Sequence, residues 1–171
     1  YFWLDASDET SIIKDSNQKV SYWNDKKSNK HFAQATVSKR PTHGTRTHNE
    51  LKVMDFDGTD DWMETINNVE VPRKTHSSFW VVAYIDSVDS EYNSIFCLRA
   101  TNNDFQFQAG NGSNFYAQIY ADAAFGGSTY FSNNVNLEAK PVLYGFIGNG
   151  SQLNVRINGE SKGNMASPGS H

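Results

Sequence analysis

The clearest signal in the chain is the alternation of apolar and polar residues in its second half. Residues 104–108, 115–120 and 153–157 alternate, as β-strands do when one face lies in a core and the other meets solvent. Residues 79–85 are apolar at every position and rich in β-branched and aromatic side chains. This run predicts a central strand that is buried on both faces.

Shorter apolar segments predict further strands. These segments are residues 3–4, 20–23, 51–56, 62–66, 95–100 and 142–147. Gly-Asn-Gly-Ser occurs at 110–113 and at 148–151, and Asn158-Gly159 follows the 153–157 run. Asn and Gly tolerate the positive φ angles of tight antiparallel turns, so each of these segments predicts a hairpin. Both tetrapeptides also match the Asn-x-Ser glycosylation acceptor, but a turn explains them without a glycan.

The order of these segments favours an all-β fold. No helical period is sustained and no strand–helix rhythm appears, so we expect two antiparallel sheets packed face to face. The first 50 residues are polar and predict a loop-rich excursion, pinned by Trp23, Phe32 and Pro41. We expect one domain over residues 1–171, with this excursion packed on the sandwich. Because the chain begins without Met, we also expect it to be a piece of a longer protein.

Composition and charge narrow the function classes. Charged residues make up 20% of the chain and aromatic residues 13%, which is unlike a disordered segment. The net charge of −4 argues against nucleic acid, and the apolar runs are too short to insert in a membrane. Cys97 is the single cysteine, so no intramolecular disulfide forms, and we expect it to be buried.

Several segments, in order, resemble a known family. They read Trp-Leu-Asp-Ala at 3–6, Ser-Tyr-Trp-Asn-Asp at 21–25, and Phe-Asp-Gly-Thr-Asp-Asp at 56–61. Together they resemble the laminin-G-like jelly rolls of the concanavalin A-like lectin/glucanase superfamily, over residues 3–160. The resemblance implies a two-sheet antiparallel jelly roll with one concave sheet. It also implies two more strands after the Asn158-Gly159 hairpin, whereas residues 163–171 show no strand pattern.

The motifs of enzymes on this fold are absent. Glycoside cleavage needs two carboxyl groups facing one bond, and glucanases place them at close alternating positions of one strand. The acidic residues here gather around the turn at Gly58-Thr59, and no nucleophile elbow or metalloprotease histidine spacing occurs. We therefore expect a protein that is not an enzyme.

The acidic turn offers a candidate metal site. Asp57, Thr59, Asp60 and Asp61 could supply the hard oxygen ligands that Ca²⁺ prefers. The alternative is that these side chains bond to backbone amides and fix the turn, and we favour this alternative. No other cofactor is expected.

The alternating strands also predict a polar sheet face. If their apolar residues point inward, amide, phenol and guanidinium groups collect outside, which suits sugar hydroxyls and the C–H faces of sugar rings. The predicted carbohydrate-binding residues are Arg99, Gln106, Gln108, Tyr116, Gln118, Tyr120 and Arg156. The alternative is an ordinary solvated face, which we weigh equally. Trp62 and Trp80 are expected in the core, and residues 26–31 in a solvated basic loop.

These patterns predict a non-catalytic, lectin-like module of an extracellular or phage virion-surface protein, with a glycan or polysaccharide as its partner. The alternative is a structural capsid-decoration or tail-fibre module whose sheet edges bind neighbouring virion or surface-protein subunits and no sugar. Composition does not separate the two, since a neutral polar face suits either a glycan or a subunit contact.

Overall fold

The computed structural model describes residues 2–66, 76–86, 94–100, 103–111, 114–121, 141–149 and 152–166. Side chains are described in 2–66, 78–86, 94–96, 141–145, 147–148, 152 and 154–164. These residues form an all-β structure in which every strand pair is antiparallel. The predicted all-β antiparallel class is confirmed.

Backbone contacts divide the chain into two compact units, Tyr1–Val71 and Pro72–His171. Each unit has its own sheets, so each is described by itself. That residues 1–171 form one domain stays a prediction.

Within residues 2–66 the first unit forms six strands and two short 3₁₀ helices, Glu9–Ser11 and Val37–Lys39. The strands are β1 (Ile12–Lys14), β2 (Val20–Asn24), β3 (His31–Ala33), β4 (Thr42–His48), β5 (Leu51–Asp55) and β6 (Glu64–Thr65). One sheet has the order β1-β2-β3-β6, and β4 pairs with β5 in a hairpin. Four of these strands lie in residues 1–50, so this region contains more strand than the expected loop-rich excursion.

Buried polar side chains contribute much of the order in the first unit. Val20 and Pro41 are fully buried, as is His43, which bonds to the carbonyl of Ala6 at 2.8 Å and to Lys14 Nζ at 3.1 Å. Gln34 is buried and donates to the Trp62 carbonyl at 3.1 Å. The buried side chains of His43 and Gln34 thus have hydrogen-bond partners, which offset the cost of removing them from water.

The described residues of the second unit form seven strands in two sheets. They are β7 (His76–Tyr84), β8 (Ser94–Ala100), β9 (Asn103–Asn111), β10 (Asn114–Ala121), β11 (Pro141–Asn149), β12 (Gln152–Ile157) and β13 (Glu160–Ala166). The three-stranded sheet has the order β10-β9-β8, and the four-stranded sheet has the order β13-β12-β11-β7. Six of these strands contain the predicted segments, since β7 to β12 follow the apolar and alternating runs.

Turn chemistry sets the hairpin between β12 and β13. Asn158 has a φ of 52° and Gly159 a φ of 81°, the pair of positive angles that a two-residue type I′ turn needs. Asn158 also bonds with β11, accepting from the Leu143 amide at 2.9 Å and donating to its carbonyl at 2.8 Å. The predicted Asn158-Gly159 hairpin is confirmed. The other two predicted hairpins also form antiparallel pairs, although residues 112–113 and 150–151 lie outside the described residues.

The core of the second unit lies on one face of the four-stranded sheet. Val142 and Tyr144 of β11 and Val155 and Ile157 of β12 are all buried. Leu143, Asn154 and Arg156, at the alternate positions, are only partly buried. Phe79 of β7 stacks on a ring of the other sheet, Phe96, with centroids 4.2 Å apart. This face therefore points toward the three-stranded sheet.

Four expectations from the sequence are corrected. β7 is the last strand of its sheet, not a central strand buried on both faces, because β11 flanks it on one side and no described strand flanks the other. No strand forms at residues 3–4, and of residues 62–66 only Glu64–Thr65 are a strand. The segment after Gly163 does contain a strand, because β13 continues to Ala166 and pairs with β12.

The two faces of the four-stranded sheet can be compared with one valine-to-alanine substitution on each face. Val155→Ala removes a side chain that is 0% exposed, so we expect the free energy of unfolding to fall by about 1.5–3 kcal/mol. Val82→Ala, at a position that is 66% exposed in β7, should change it by less than about 0.5 kcal/mol. Urea unfolding of both variants measures the difference. Equal losses would contradict the assignment of the inner and outer faces.

Candidate functional site

The predicted sugar-binding residues divide between two sheets. Six of the seven lie on β8, β9 and β10, whereas Arg156 lies on β12 of the four-stranded sheet. In the three-stranded sheet Gln118 is the register partner of Gln108, and Tyr120 is the partner of Gln106. The sequence prediction of one shared polar face therefore does not hold for Arg156.

The register of β8 with β9 places Arg99, another predicted residue of this sheet. Arg99 is opposite Asp104, and Cys97 is opposite Gln106. Tyr116 lies in the irregular stretch of β10 between Asn114 and Ala117. The side chains of all these residues lie outside the described side chains, so the polar face and the burial of Cys97 stay predictions.

The described side chains reveal a different surface, on the outer face of the four-stranded sheet. We call it the Trp80 face and define it by Trp80, Val82 and Tyr84 of β7, Ile147 of β11 and Arg156 of β12. All four apolar side chains are exposed, and Arg156 is partly buried. An exposed patch of large apolar side chains is typical of a surface that binds a ligand or another molecule.

The six-membered ring of the Trp80 indole lies against the backbone of β11 at Gly145. The register partner of Trp80 is Gly145, and a Cβ built on Gly145 would come within 2.2 Å of the indole Cε3 atom. Only glycine allows so close an approach of ring and backbone. The indole is nevertheless 42% exposed, so one side of it rests on the sheet while much of it meets solvent.

Arg156 lies in the same cross-strand row, because Gly145 is its register partner as well. Its Nη1 donates to the carbonyl of Gly159 at 2.7 Å, which ties the guanidinium to the β12–β13 turn. The nearby carboxylate of Glu160 bonds instead to Lys162, at 2.6 Å. No described carboxylate pairs with Arg156, and its buried Nε has no hydrogen-bond partner.

Sequence reasoning missed this surface. It placed Trp62 and Trp80 in the core, and both expectations are wrong, because each is 42% exposed. The apolar run of β7 suggested burial on both faces, but its alternate residues Val81 and Ala83 are only half-buried and Val82 is exposed. The available signal was Gly145, a glycine inside an apolar strand, which indicates close approach of another group.

The acidic turn of the first unit is held by its own hydrogen bonds. Asp57 Oδ1 accepts from the amides of Thr59, Asp60 and Asp61, at 2.8, 3.1 and 3.2 Å. Hydrogen bonds from these three amides, above all that of Thr59, hold the pKa of Asp57 below its usual value, although partial burial acts in the opposite direction. Carboxylate oxygens of Asp57, Asp60 and Asp61 lie within 4.8 Å of one another. Three backbone donors on one oxygen favour the turn interpretation, and calcium here stays a prediction.

Asp61 faces a lysine in this turn. Its side chain is 1% exposed, with Oδ1 3.6 Å from Lys19 Nζ, and Oδ2 accepts from the Asp57 amide at 3.1 Å. Burial, the largest cause, raises the pKa of Asp61 above its usual value. The ammonium of Lys19 already supplies the positive charge that a metal ion would bring to this oxygen.

The basic loop at residues 26–31 is partly neutralised by carboxylates. Lys26 Nζ lies 3.1 Å from Asp5 and 3.0 Å from Asp8, and 4.9 Å from the ring centre of Trp3. The backbone of Lys26 also donates to the Trp3 carbonyl at 2.9 Å. These contacts attach residues 3–8 to the end of β2, which explains why this segment is ordered without being a strand.

Comparison with protein-family models, with curated proteins and with solved structures gives no match for this chain. The laminin-G-like resemblance therefore stays a prediction. Among the described residues no helix has the length and apolar character needed to cross a membrane.

The pH dependence of stability tests the environment of Asp61. Because folding raises its pKa above 3.8, Asp61 contributes stability that is complete below pH 3.8 and is lost as the pH rises through the folded pKa. Asp61→Asn removes this dependence, so the stability of this variant relative to the parent chain should rise as the pH is raised above 3.8. Urea unfolding below and above this pH measures it, with the exposed Asp60→Asn as control. Parallel curves for Asp61→Asn and the parent would contradict the buried environment.

Proposed function

We propose that this chain is a non-catalytic carbohydrate-binding module and that the Trp80 face is where it binds sugar. The observation that carries the proposal is the position of Trp80, whose indole ring lies against Gly145 while the residue is 42% exposed. An aromatic ring held in one orientation on a rigid sheet loses little conformational entropy when a ligand packs against it.

The chemistry of the Trp80 face suits a sugar ring. Sugar rings present C–H groups on one side and hydroxyl groups around the edge, so they need an aromatic surface beside hydrogen-bonding groups. Trp80 provides the aromatic surface. Arg156 lies in the same cross-strand row, and Asn154 lies in the next row on the same face. Asn154 is itself ordered, since its amide nitrogen donates to Ser161 Oγ at 2.6 Å and to Asn164 Oδ1 at 2.8 Å.

The three-stranded sheet is proposed as a second polar surface for a long glycan. The register pairs Gln108–Gln118 and Gln106–Tyr120 support this part of the proposal, because directly opposite residues of antiparallel strands lie on the same face. Arg99 and Tyr116 remain members of this predicted set.

The proposed architecture of the second unit is a sandwich of its two sheets, with the jelly-roll topology of laminin-G-like domains. The stack of Phe79 on Phe96 supports the sandwich, since it joins the inner face of one sheet to the other. The extracellular or virion-surface location belongs to the same proposal, because such modules bind glycans outside the cell. No catalytic step is proposed.

Removing the aromatic surface tests the sugar site. On an array of neutral and acidic glycans, followed by titration of the best ligand, Trp80→Ala should weaken binding by about tenfold or more, the effect of about 1.4 kcal/mol. Gly145→Ala should have a similar effect, because its methyl group displaces the indole. Trp62→Ala is the matched control, since Trp62 has the same 42% exposure but lies in the first unit. Equal binding by the Trp80→Ala and Trp62→Ala variants would overturn the site.

A second test addresses the three-stranded sheet. The double variant Tyr120→Ala with Gln118→Ala should weaken the binding of long glycans more than that of short ones, because only long chains reach both surfaces. Titration with oligosaccharides of increasing length measures this difference. Unchanged binding of every length would remove the three-stranded sheet from the proposed site.

One observation favours the structural alternative. Among the described strands β7 forms the end of its sheet for nine residues, from His76 to Tyr84, and it contains no Asp, Glu, Lys or Arg. Charged residues are a common protection of sheet edges, and a long edge without them can pair with a neighbouring subunit. Light scattering separates the alternatives: a stable trimer or larger assembly without glycan binding favours the structural module, and a monomer argues against it.

A further inference from the structure

The cross-strand row that contains Trp80 also contains Arg156, which has no ion pair among the described residues. In register across four strands, Trp80 is opposite Gly145, Gly145 is opposite Arg156, and Arg156 is opposite Ser161. The aromatic ring and the guanidinium thus belong to one line perpendicular to the strands. A ligand that covers one is within reach of the other.

The spacing of strands sets the distance between these two groups. Because the indole lies over β11, its ring is about one strand spacing, roughly 4.8 Å, from β12, which carries Arg156. A six-membered sugar ring stacked on the indole has a comparable radius once its exocyclic group is included. The exocyclic group at the edge of such a ring would then point toward Arg156.

The guanidinium of Arg156 is held in place without a described counter-ion, which favours the binding of an anion. Its Nη1 is fixed on the Gly159 carbonyl at 2.7 Å, and the carboxylate of the same hairpin, Glu160, is bonded to Lys162 at 2.6 Å. Among the described residues Arg156 has no ion pair. A guanidinium that is partly buried and lacks a counter-ion gains more from binding an anion than a fully hydrated one does.

The cross-strand rows of the Trp80 face contain no described carboxylate. The three cross-strand rows that begin at Ser78, Trp80 and Val82 hold no Asp or Glu at any described position. This contrasts with the chain as a whole, whose net charge is −4. The Trp80 face is therefore locally positive on an otherwise acidic protein, which is a charge pattern complementary to an anionic ligand.

We infer that the Trp80 face selects a hexuronate, a sugar whose ring packs on Trp80 and whose carboxylate binds Arg156. This inference rests on the proposed sugar-binding function and adds the class of sugar. A planar carboxylate matches a planar guanidinium and binds it by charge-assisted hydrogen bonds, whereas the hydroxymethyl group of a neutral hexose offers no charge.

Titration calorimetry of the full chain with matched trisaccharides tests the selection. The probes are trigalacturonate, its methyl ester, neutral cellotriose and a sulfated trisaccharide. Trigalacturonate should bind at least about tenfold more tightly than its methyl ester, and added salt should reduce the difference. Arg156→Gln should abolish the preference for the acid over the ester. Lys162→Gln is the control, at a lysine that already has a carboxylate partner.

Each outcome separates the inference from the function it rests on. Equal binding of trigalacturonate, its ester and cellotriose would overturn the hexuronate assignment and leave the sugar site standing. Tighter binding of the sulfated probe would replace the carboxylate with a sulfate ester. If no trisaccharide and no longer glycan binds, the proposed function itself fails.

The substitution of Arg156 could also affect folding, because its Nη1 bond supports the β12–β13 turn. Arg156→Lys keeps the positive charge and provides a second variant, which should retain part of the preference. The comparison of acid and ester on the unaltered chain needs no variant. A preference that persists undiminished in folded Arg156→Gln would assign the selectivity to another residue and overturn the inference.

Discussion

The antiparallel pairing of β7 with β11 is the constraint on which the second unit depends. It runs over nine residue pairs, from His76–Asn149 to Tyr84–Pro141, and fixes which residues of β7 face the core. With this register Phe79 reaches Phe96 on the inner side and Trp80 meets Gly145 on the outer side. A slip of one residue would exchange the two faces and place the indole against a side chain instead of bare backbone.

The first unit is organised by polar contacts more than by a large apolar core. Asp25 is buried and accepts from the Trp3 amide and from Ser28, and the next residue, Lys26, pairs with Asp5 and Asp8. Asp57 likewise accepts hydrogen bonds from three backbone amides of its own turn. In such a unit, side chains that bond to the backbone replace regular secondary structure and hold long connections in one conformation.

The fold and the site carry different kinds of information about function. Antiparallel sheets serve many unrelated activities, so the proposed function is argued from the Trp80 face and not from the architecture. That face combines an aromatic ring held against the sheet with an arginine that has no described carboxylate partner. Both features cost stability in a module without a ligand, since they expose apolar surface and leave a charge without a counter-ion.

The sequence by itself determined most strands of the second unit, because an alternation of apolar and polar residues and the Asn-Gly and Gly-Asn-Gly-Ser turns are local signals. It located β7 to β12 and the turn at Asn158, where local backbone preference and pairing agree. It could not find β1, β3 or β4, which are short or polar and are held by distant hydrogen bonds such as that of His43 with Ala6. Nor could it find the Trp80 face. The sequence of an apolar strand is the same whether its face is covered by another sheet or by solvent. Only the tertiary structure decided that β7 is the last described strand of its sheet and that Trp80 lies on Gly145 in the row of Arg156.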